Sequence, residues 1–142
     1  MDARDRVIVE ALLEDSRTPY AQLARRLRIT EAAVRKRVRN LEAAGVISKF
    51  TIRVDPSILG FESVAVIGID TRPDSLVSVQ SAVRRMRGVR YTSLSSGDHM
   101  LLFGVWCHNN EELRHMISRV KSMKGVTRVC PAVLLKNVEY CE

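Results

Sequence analysis

The sequence has only three cysteines, an odd number at irregular spacing: Cys107, Cys130 and Cys141. No CxxC pair and no zinc-ligand pattern occurs, so no metal site is expected. Cys107 and Cys130 read as small buried hydrophobes. No apolar run approaches the length of a membrane span. The opening residues Met1-Asp2-Ala3-Arg4-Asp5 lack an apolar signal region. A soluble, cytoplasmic chain is therefore expected. Aromatic residues make up only 5%, and there is no low-complexity tract. With 46% hydrophobic and 27% charged residues the composition is that of a globular protein. No nucleophile–base pair stands out, so neither a catalytic residue nor a cofactor is expected.

A chain of 142 residues holds one ordinary domain or two small ones. Its net charge of +7 favours a polyanionic partner. The charge is also unevenly placed. Arg25 to Arg39 carries seven cations and a single acid, Glu31. Most of the cations are arginine, whose planar fork suits phosphate and guanine.

The stretch from Thr30 to Gly45 organises the first third. Val34, Val38 and Leu41 share one helical face. Ala32, Lys36, Arg39 and Ala43 fall opposite, with Arg35 and Arg37 on the flanks. Thr30 is placed to cap the start and Gly45 to stop the end. Alanines permit close approach to a major groove, and Arg and Lys reach guanine edges and phosphates. On its own the pattern also fits a solvated basic helix.

Its neighbours narrow the choice. Asp5 to Glu14 has Ile8, Ala11 and Leu12 at helical spacing. Thr18 reads as an N-cap with Pro19 at the first helical position. A short helix then runs from Tyr20 to about Arg26, and Arg28-Ile29-Thr30 turns into the next. This is a helix-turn-helix. After Gly45 the period becomes two: Val46, Ser48, Phe50, Ile52 and Val54 alternate with Ile47, Lys49, Thr51 and Arg53. That predicts a half-buried strand or wing hairpin, and the whole reads as a winged helix-turn-helix over residues 1–54. In this reading Arg35, Lys36 and Arg39 read or approach bases. Arg25, Arg26, Arg28 and Arg37 hold phosphates, helped from the wing by Lys49 or Arg53.

Asp55-Pro56-Ser57 begins a linker over residues 55–62. From residue 63 to 142 the chain repeats a unit. Ser63–Thr71 reads as a strand, and Asp74 caps a helix bearing Leu76, Val79, Val83 and Met86. Gly88-Val89 opens a strand to Ser95, Gly97-Asp98 turns, and Met100–Cys107 is a third strand. Asn109 or Asn110 caps a helix bearing Leu113, Met116, Ile117 and Val120. Gly125-Val126 opens a last strand to about Val138. The order β-α-β-β-α-β predicts a ferredoxin-like sandwich, an α+β fold with two helices on one face of a four-stranded sheet. No cysteine cluster is present, so the fold name implies no iron–sulfur cluster.

Val64–Ile69 and Met100–Trp106 do not alternate as one-sided strands should. Helices cover one face only, so the other needs a partner. A second copy packed sheet to sheet, an isologous homodimer, is the economical answer. It also supplies the two recognition helices that a palindromic site in double-stranded DNA requires.

Three segments carry a family resemblance. They are Asp5-x-x-Ile8-x-x-x-Leu12-x-x-Asp15-x-Arg17, Val34-x-x-Arg37-Val38-x-x-Leu41-Glu42-x-x-Gly45-Val46-Ile47 and Asp55-Pro56-x-x-Leu59-Gly60. In this order they resemble the Lrp/AsnC, or feast/famine, family of transcription regulators over nearly the whole chain. The resemblance implies a winged helix-turn-helix followed by a ligand-sensing and dimerisation module. It also implies dimers that assemble into tetramers, octamers or larger discs, DNA wrapping or bending, and an amino-acid effector. The effector residues it points to lie in the turn after the second strand: Ser96, Gly97, Asp98, His99 and Met100.

That turn departs from the family pattern. Gly97-Asp98-His99-Met100 has Met100 where an acid is usual, and Pro131 stands where the last strand often has threonine. Both changes weaken a site for an ammonium and a carboxylate. Pro131 lacks a backbone donor and so predicts an edge strand or bulge. Two further readings remain. One is a siroheme-decarboxylase-like enzyme on the same scaffold, drawing on His99, His108, His115 and Tyr91. The other is an architectural protein with mainly non-specific DNA contacts.

Overall fold

The computed structural model describes residues 1–135. The chain divides into two compact units, the first ending at Arg53 and the second beginning at Val54.

The first unit holds three helices: α1 (Ala3–Glu14), α2 (Tyr20–Leu27) and α3 (Glu31–Ala43). Asp2 and Asp5 form a reciprocal capping box that starts α1. At α2 the cap position is Pro19, without a side-chain bond. Thr18, expected as the cap, instead donates its hydroxyl to the Asp15 carbonyl at 2.8 Å. Arg28 ends α2 in the left-handed region, φ 52°. Thr30 caps α3 by accepting from the Ala33 amide. Past the end of α3, Gly45 takes φ 72°, a conformation glycine adopts without strain. The core of the unit is Ile8, Leu12, Leu23, Val34, Val38 and Leu41, with Ile47 packed against it. Each such side chain contributes roughly 1.5–3 kcal/mol when buried.

The expected strand over residues 46–54 is not formed. Residues 48–55 have no regular secondary structure, and Val46, Phe50, Ile52 and Val54 are exposed. The period-two pattern is present, but a strand also needs a neighbouring ladder. Among the described residues none is offered.

The second unit begins with a 3-10 turn at Pro56–Leu59, where the Asp55 side chain accepts from the Ser57 amide. Then come β1 (Ser63–Thr71), α4 (Leu76–Arg84), β2 (Val89–Leu94), β3 (Leu101–Cys107), α5 (Asn110–Lys121) and β4 (Val126–Leu134). The sheet is antiparallel in the order β2-β3-β1-β4, the split βαβ arrangement expected. Asp74 does not cap α4 directly. A 3-10 turn, Pro73–Ser75, intervenes, and Asp74 accepts from the Ser75 hydroxyl. At α5 the cap is Asn109, which accepts from the Glu112 amide. Pro131 lies on β4, an edge strand, opposite Ile67. The part of the expected last strand beyond residue 135, and Cys141, lie outside the described residues.

One sheet face packs on α4 and α5 around Ile67, Ile69, Phe103, Val105, Val83 and Val120, all fully buried. Cys107 belongs to this core, and burial pushes its thiol up to about 11. Cys130 is half-buried. On the other face, Val64, Val66, Leu102 and Trp106 are half-buried although no helix covers them. Two strand glycines on that face are roofed by rings: His99 over Gly68 and Tyr91 over Gly104.

Candidate nucleic-acid interface and effector loop

Helix α3 buries Val34, Val38 and Leu41 and turns the rest outward. Ala32, Arg35, Lys36 and Arg39 are exposed, as are Arg25 and Arg26 on α2, Arg28 at its end and Thr30 at the cap. Arg35 is held by Glu31, one turn back, at 2.8 Å. Its guanidinium also sits 5.4 Å from the Tyr20 ring centroid. Among the described residues, Lys36, Arg39, Arg25, Arg26 and Arg28 have no side-chain partner. The sequence-derived basic arc is thus brought to one small helical unit with most of its cations open.

Arg37 is the exception. Its Nη1 donates to Asp2 and Asp5, each at 2.7 Å. The reading of Arg37 as a phosphate contact is corrected: its guanidinium ties α3 to the capping box of α1. The geometry leaves both acids below the ordinary carboxylate range. Reciprocal backbone hydrogen bonds are the main cause, and the Arg37 guanidinium adds to it. The partners stand 35 and 32 residues apart in the chain, beyond the reach of any local pattern.

The loop after β2 is held by a charged network. Opposite each other on β1 and β4 stand Asp70 and Arg128. Arg128 Nε donates to Asp70 at 2.6 Å, and its Nη2 donates to the Asp98 carbonyl at 2.9 Å and carboxylate at 3.1 Å. These bonds raise the Arg128 pKa, and they hold the Asp70 carboxyl below its usual range. The other Asp70 oxygen accepts from the Met100 amide at 3.2 Å. His99 Nε2 lies 3.2 Å from Asp98. Its Nδ1 lies 3.3 Å from Asp70 and 3.2 Å from Arg128 Nη2, donating to the first or accepting from the second according to tautomer. Ser96, Gly97 and Asp98 are exposed, while His99 and Met100 are half-buried. Sequence reasoning found this loop but missed Asp70 and Arg128, which the strand register brings to it.

A sequence profile for a winged helix-turn-helix DNA-binding domain matches residues 1–48. A second, for the Lrp/AsnC ligand-binding domain, matches residues 64–141. The chain belongs to the Lrp/AsnC family of transcriptional regulators. It is 43% identical over 140 residues to the HTH-type transcriptional regulator LrpA of Pyrococcus horikoshii, covering 98% of this chain and 99% of that one. The structure of E. coli AsnC superposes with a TM-score of 0.80 at 25% identity, over 100% of this chain and 97% of that one. A transcriptional regulator from Neisseria meningitidis, solved as an L-Met complex, shares the fold at a TM-score of 0.81 and 20% identity, over 99% and 93% of the two chains. As in that family, a DNA-binding unit precedes a ligand-binding unit. No described helix of this Lrp/AsnC chain is long and apolar enough to cross a membrane.

Proposed function

We propose that this Lrp/AsnC regulator is a sequence-specific reader of double-stranded DNA that works as a homodimer or a higher oligomer and answers to an amino-acid-like effector. The carrying observation is the outward face of α3, where Ala32, Lys36 and Arg39 are exposed opposite Val34, Val38 and Leu41. Small side chains there let the helix approach base edges, and the cations beside them supply the donors. Lys36, Arg35 and Arg39 take bases. Arg25, Arg26 and Arg28 take phosphates, with Thr30 fixing the helix start. The role is regulatory, without a catalytic step, in the compartment that holds the DNA.

Self-association is supported by the uncovered sheet face, where Val64, Val66, Leu102 and Trp106 remain half-exposed. A second copy covers an apolar face of this kind isologously. The effector reading rests on the loop of Ser96, Gly97, Asp98, His99 and Met100, to which Asp70 and Arg128 are added. An α-amino acid carries the two charges needed to compete for the Arg128–Asp98 pair: its carboxylate for Arg128 and its ammonium for Asp98. The Neisseria meningitidis relative, crystallised with L-Met, shows that this fold accommodates such a ligand.

A footprint on the promoter of the chain's own gene, with and without a panel of amino acids, tests the reading. Two protected half-sites a whole number of helical turns apart are expected, with at least one amino acid shifting the protection. Uniform protection of any duplex, lost steeply with salt, overturns sequence specificity. Protection indifferent to the whole panel overturns the effector.

A further inference from the structure

A second cluster of arginines lies in the ligand-binding unit, away from the effector loop. Between Asp74 and Asp98 the chain carries Arg84, Arg85, Arg87 and Arg90 and no acid at all. From residue 55 onward the rest of the chain holds seven cations against nine acids, so the positive charge of this half is gathered in one run of seven residues.

The backbone under the run is fixed. Val83 and Met86 are buried in the core, which turns Arg84, Arg85 and Arg87 to solvent. Gly88 closes the turn at φ +88°, and its carbonyl accepts from the Trp106 amide at 2.9 Å. A Cβ at that position would meet the Trp106 carbonyl at 2.7 Å. Arg90 is engaged elsewhere, its guanidinium 4.1 Å from the Trp106 ring centroid and 5.1 Å from that of Phe61. Arg84, Arg85 and Arg87 have no ion pair or hydrogen-bonded side-chain partner among the described residues.

A helix C-terminus favours a nearby cation, and that accounts for Arg84 in the last turn of α4. It does not account for two more arginines beyond the end. Helix α5 makes the comparison. Its last-turn Arg119 and Lys121 are balanced by Glu111 and Glu112 in the first turn, whereas α4 contains no acid. Three open guanidinium groups on a rigid turn, with no carboxylate to neutralise them, match a regular array of phosphates.

We propose that Arg84, Arg85 and Arg87 form a second DNA-backbone contact, on the ligand-binding unit, for phosphates of the same duplex outside the bases read by α3. The inference rests on the reading of the chain as a duplex-binding regulator. The contact adds affinity and salt dependence without adding sequence preference, because phosphates carry no sequence information directly.

The test uses the full-length protein on a long duplex carrying the footprinted site, titrated over a salt series. Wild type is compared with the triple variant Arg84→Gln/Arg85→Gln/Arg87→Gln and with Arg84→Lys/Arg85→Lys/Arg87→Lys. Light scattering and a thermal melt accompany each. The glutamine triple is expected to lower the log–log salt slope by about 0.9 for each phosphate lost, up to about 2.7 for all three. Its ratio of specific to non-specific affinity stays at the wild-type value, and the lysine triple keeps the wild-type slope. Should the glutamine triple fold poorly, Arg85→Gln alone is expected to lower the slope by about 0.9. A folded glutamine variant with the wild-type slope overturns the inference alone, as does a lysine variant that loses as much slope as the glutamine one. A change of oligomeric state with the slope retained assigns the surface to contacts between copies and also overturns it. A wild-type protein that binds no duplex overturns this inference and the regulatory reading together.

Discussion

Arg37 of the recognition helix donates to Asp5 of α1 at 2.7 Å. A residue that sequence pattern places among the DNA contacts is instead a brace between two helices, shared with Asp2. Both carboxyl groups titrate below the ordinary value of 3.8. A depressed carboxyl binds fewer protons in the folded state than in the unfolded state. Its stabilisation is therefore complete above 3.8 and is lost as pH falls through the lowered value. Thermal melts by far-UV circular dichroism are expected to show the helix-turn-helix unit losing stability below that pH. Fluorescence of Trp106, the single tryptophan, reports on the second unit separately. Arg37→Ala lowers the helical midpoint at neutral pH and makes the acid fall shallower. The fall does not vanish, because the backbone bonds of the capping box remain. An acid profile identical to wild type counts against the brace.

Gly68 on β1 leaves the space that the His99 ring fills. A methyl group there displaces the ring, which is 15% exposed and held between Asp70 and Asp98. Gly68→Ala is expected to destabilise the unit by about 1–3 kcal/mol, the usual cost of overpacking. It also removes hydrogen-exchange protection from the Met100 amide, whose acceptor is Asp70. Gly104→Ala pushes on Tyr91, which is 51% exposed and free to swing out, so its cost is smaller. Equal denaturation midpoints for the two variants would contradict this ordering.

Arg128 clamps the effector loop to β4 through two separate nitrogens, Nε to Asp70 and Nη2 to Asp98. Lysine has one charged nitrogen and cannot make both bonds in this geometry. Arg128→Lys is therefore expected to free the loop almost as fully as Arg128→Ala, seen as faster exchange of the Gly97 to Met100 amides. In both variants the Asp70 carboxyl titrates higher than in wild type, towards its ordinary value, and NMR of the side-chain carbon follows this. Exchange in Arg128→Lys that matches wild type refutes the clamp.

What the sequence reveals here depends on how far apart the interacting residues lie. Helix α3 was readable because its cap at Thr30, its apolar spacing at Val34, Val38 and Leu41 and its stop at Gly45 are all local. The edge position of β4 followed from Pro131, whose missing amide is a property of one residue. The expected strand after Gly45 failed for the opposite reason. Alternation is local, but pairing is not. The Thr18 and Asp74 caps lost to nearer acceptors and donors, Asp15 and Ser75. Asp70 and Arg128 stand 58 residues apart in sequence and meet only through strand register. In the effector loop, therefore, Asp98 and His99 could be located from the chain, but their partners could not.

Lys36 and Arg26 separate reading from holding. Lys36 lies on the outward face of α3 beside Ala32, where close approach to base edges is open. Arg26 lies in the last turn of α2, exposed and without a side-chain partner among the described residues. A base contact discriminates between sequences by roughly 1–3 kcal/mol, whereas a phosphate contact weakens all sequences alike when lost. Lys36→Ala is therefore expected to change which operator variants are preferred in a competition assay. Arg26→Ala keeps the preference order, lowers every affinity by a similar factor and reduces the log–log salt slope by about one. Arg37→Ala forms the third arm: as a brace rather than a contact, it shifts the melting midpoint while the salt slope of the folded fraction stays put. If Arg26→Ala reorders the operators, or if Lys36→Ala weakens all of them equally, the two roles are exchanged. If Arg37→Ala lowers the slope by as much as Arg26→Ala, its guanidinium leaves Asp2 and Asp5 to meet DNA.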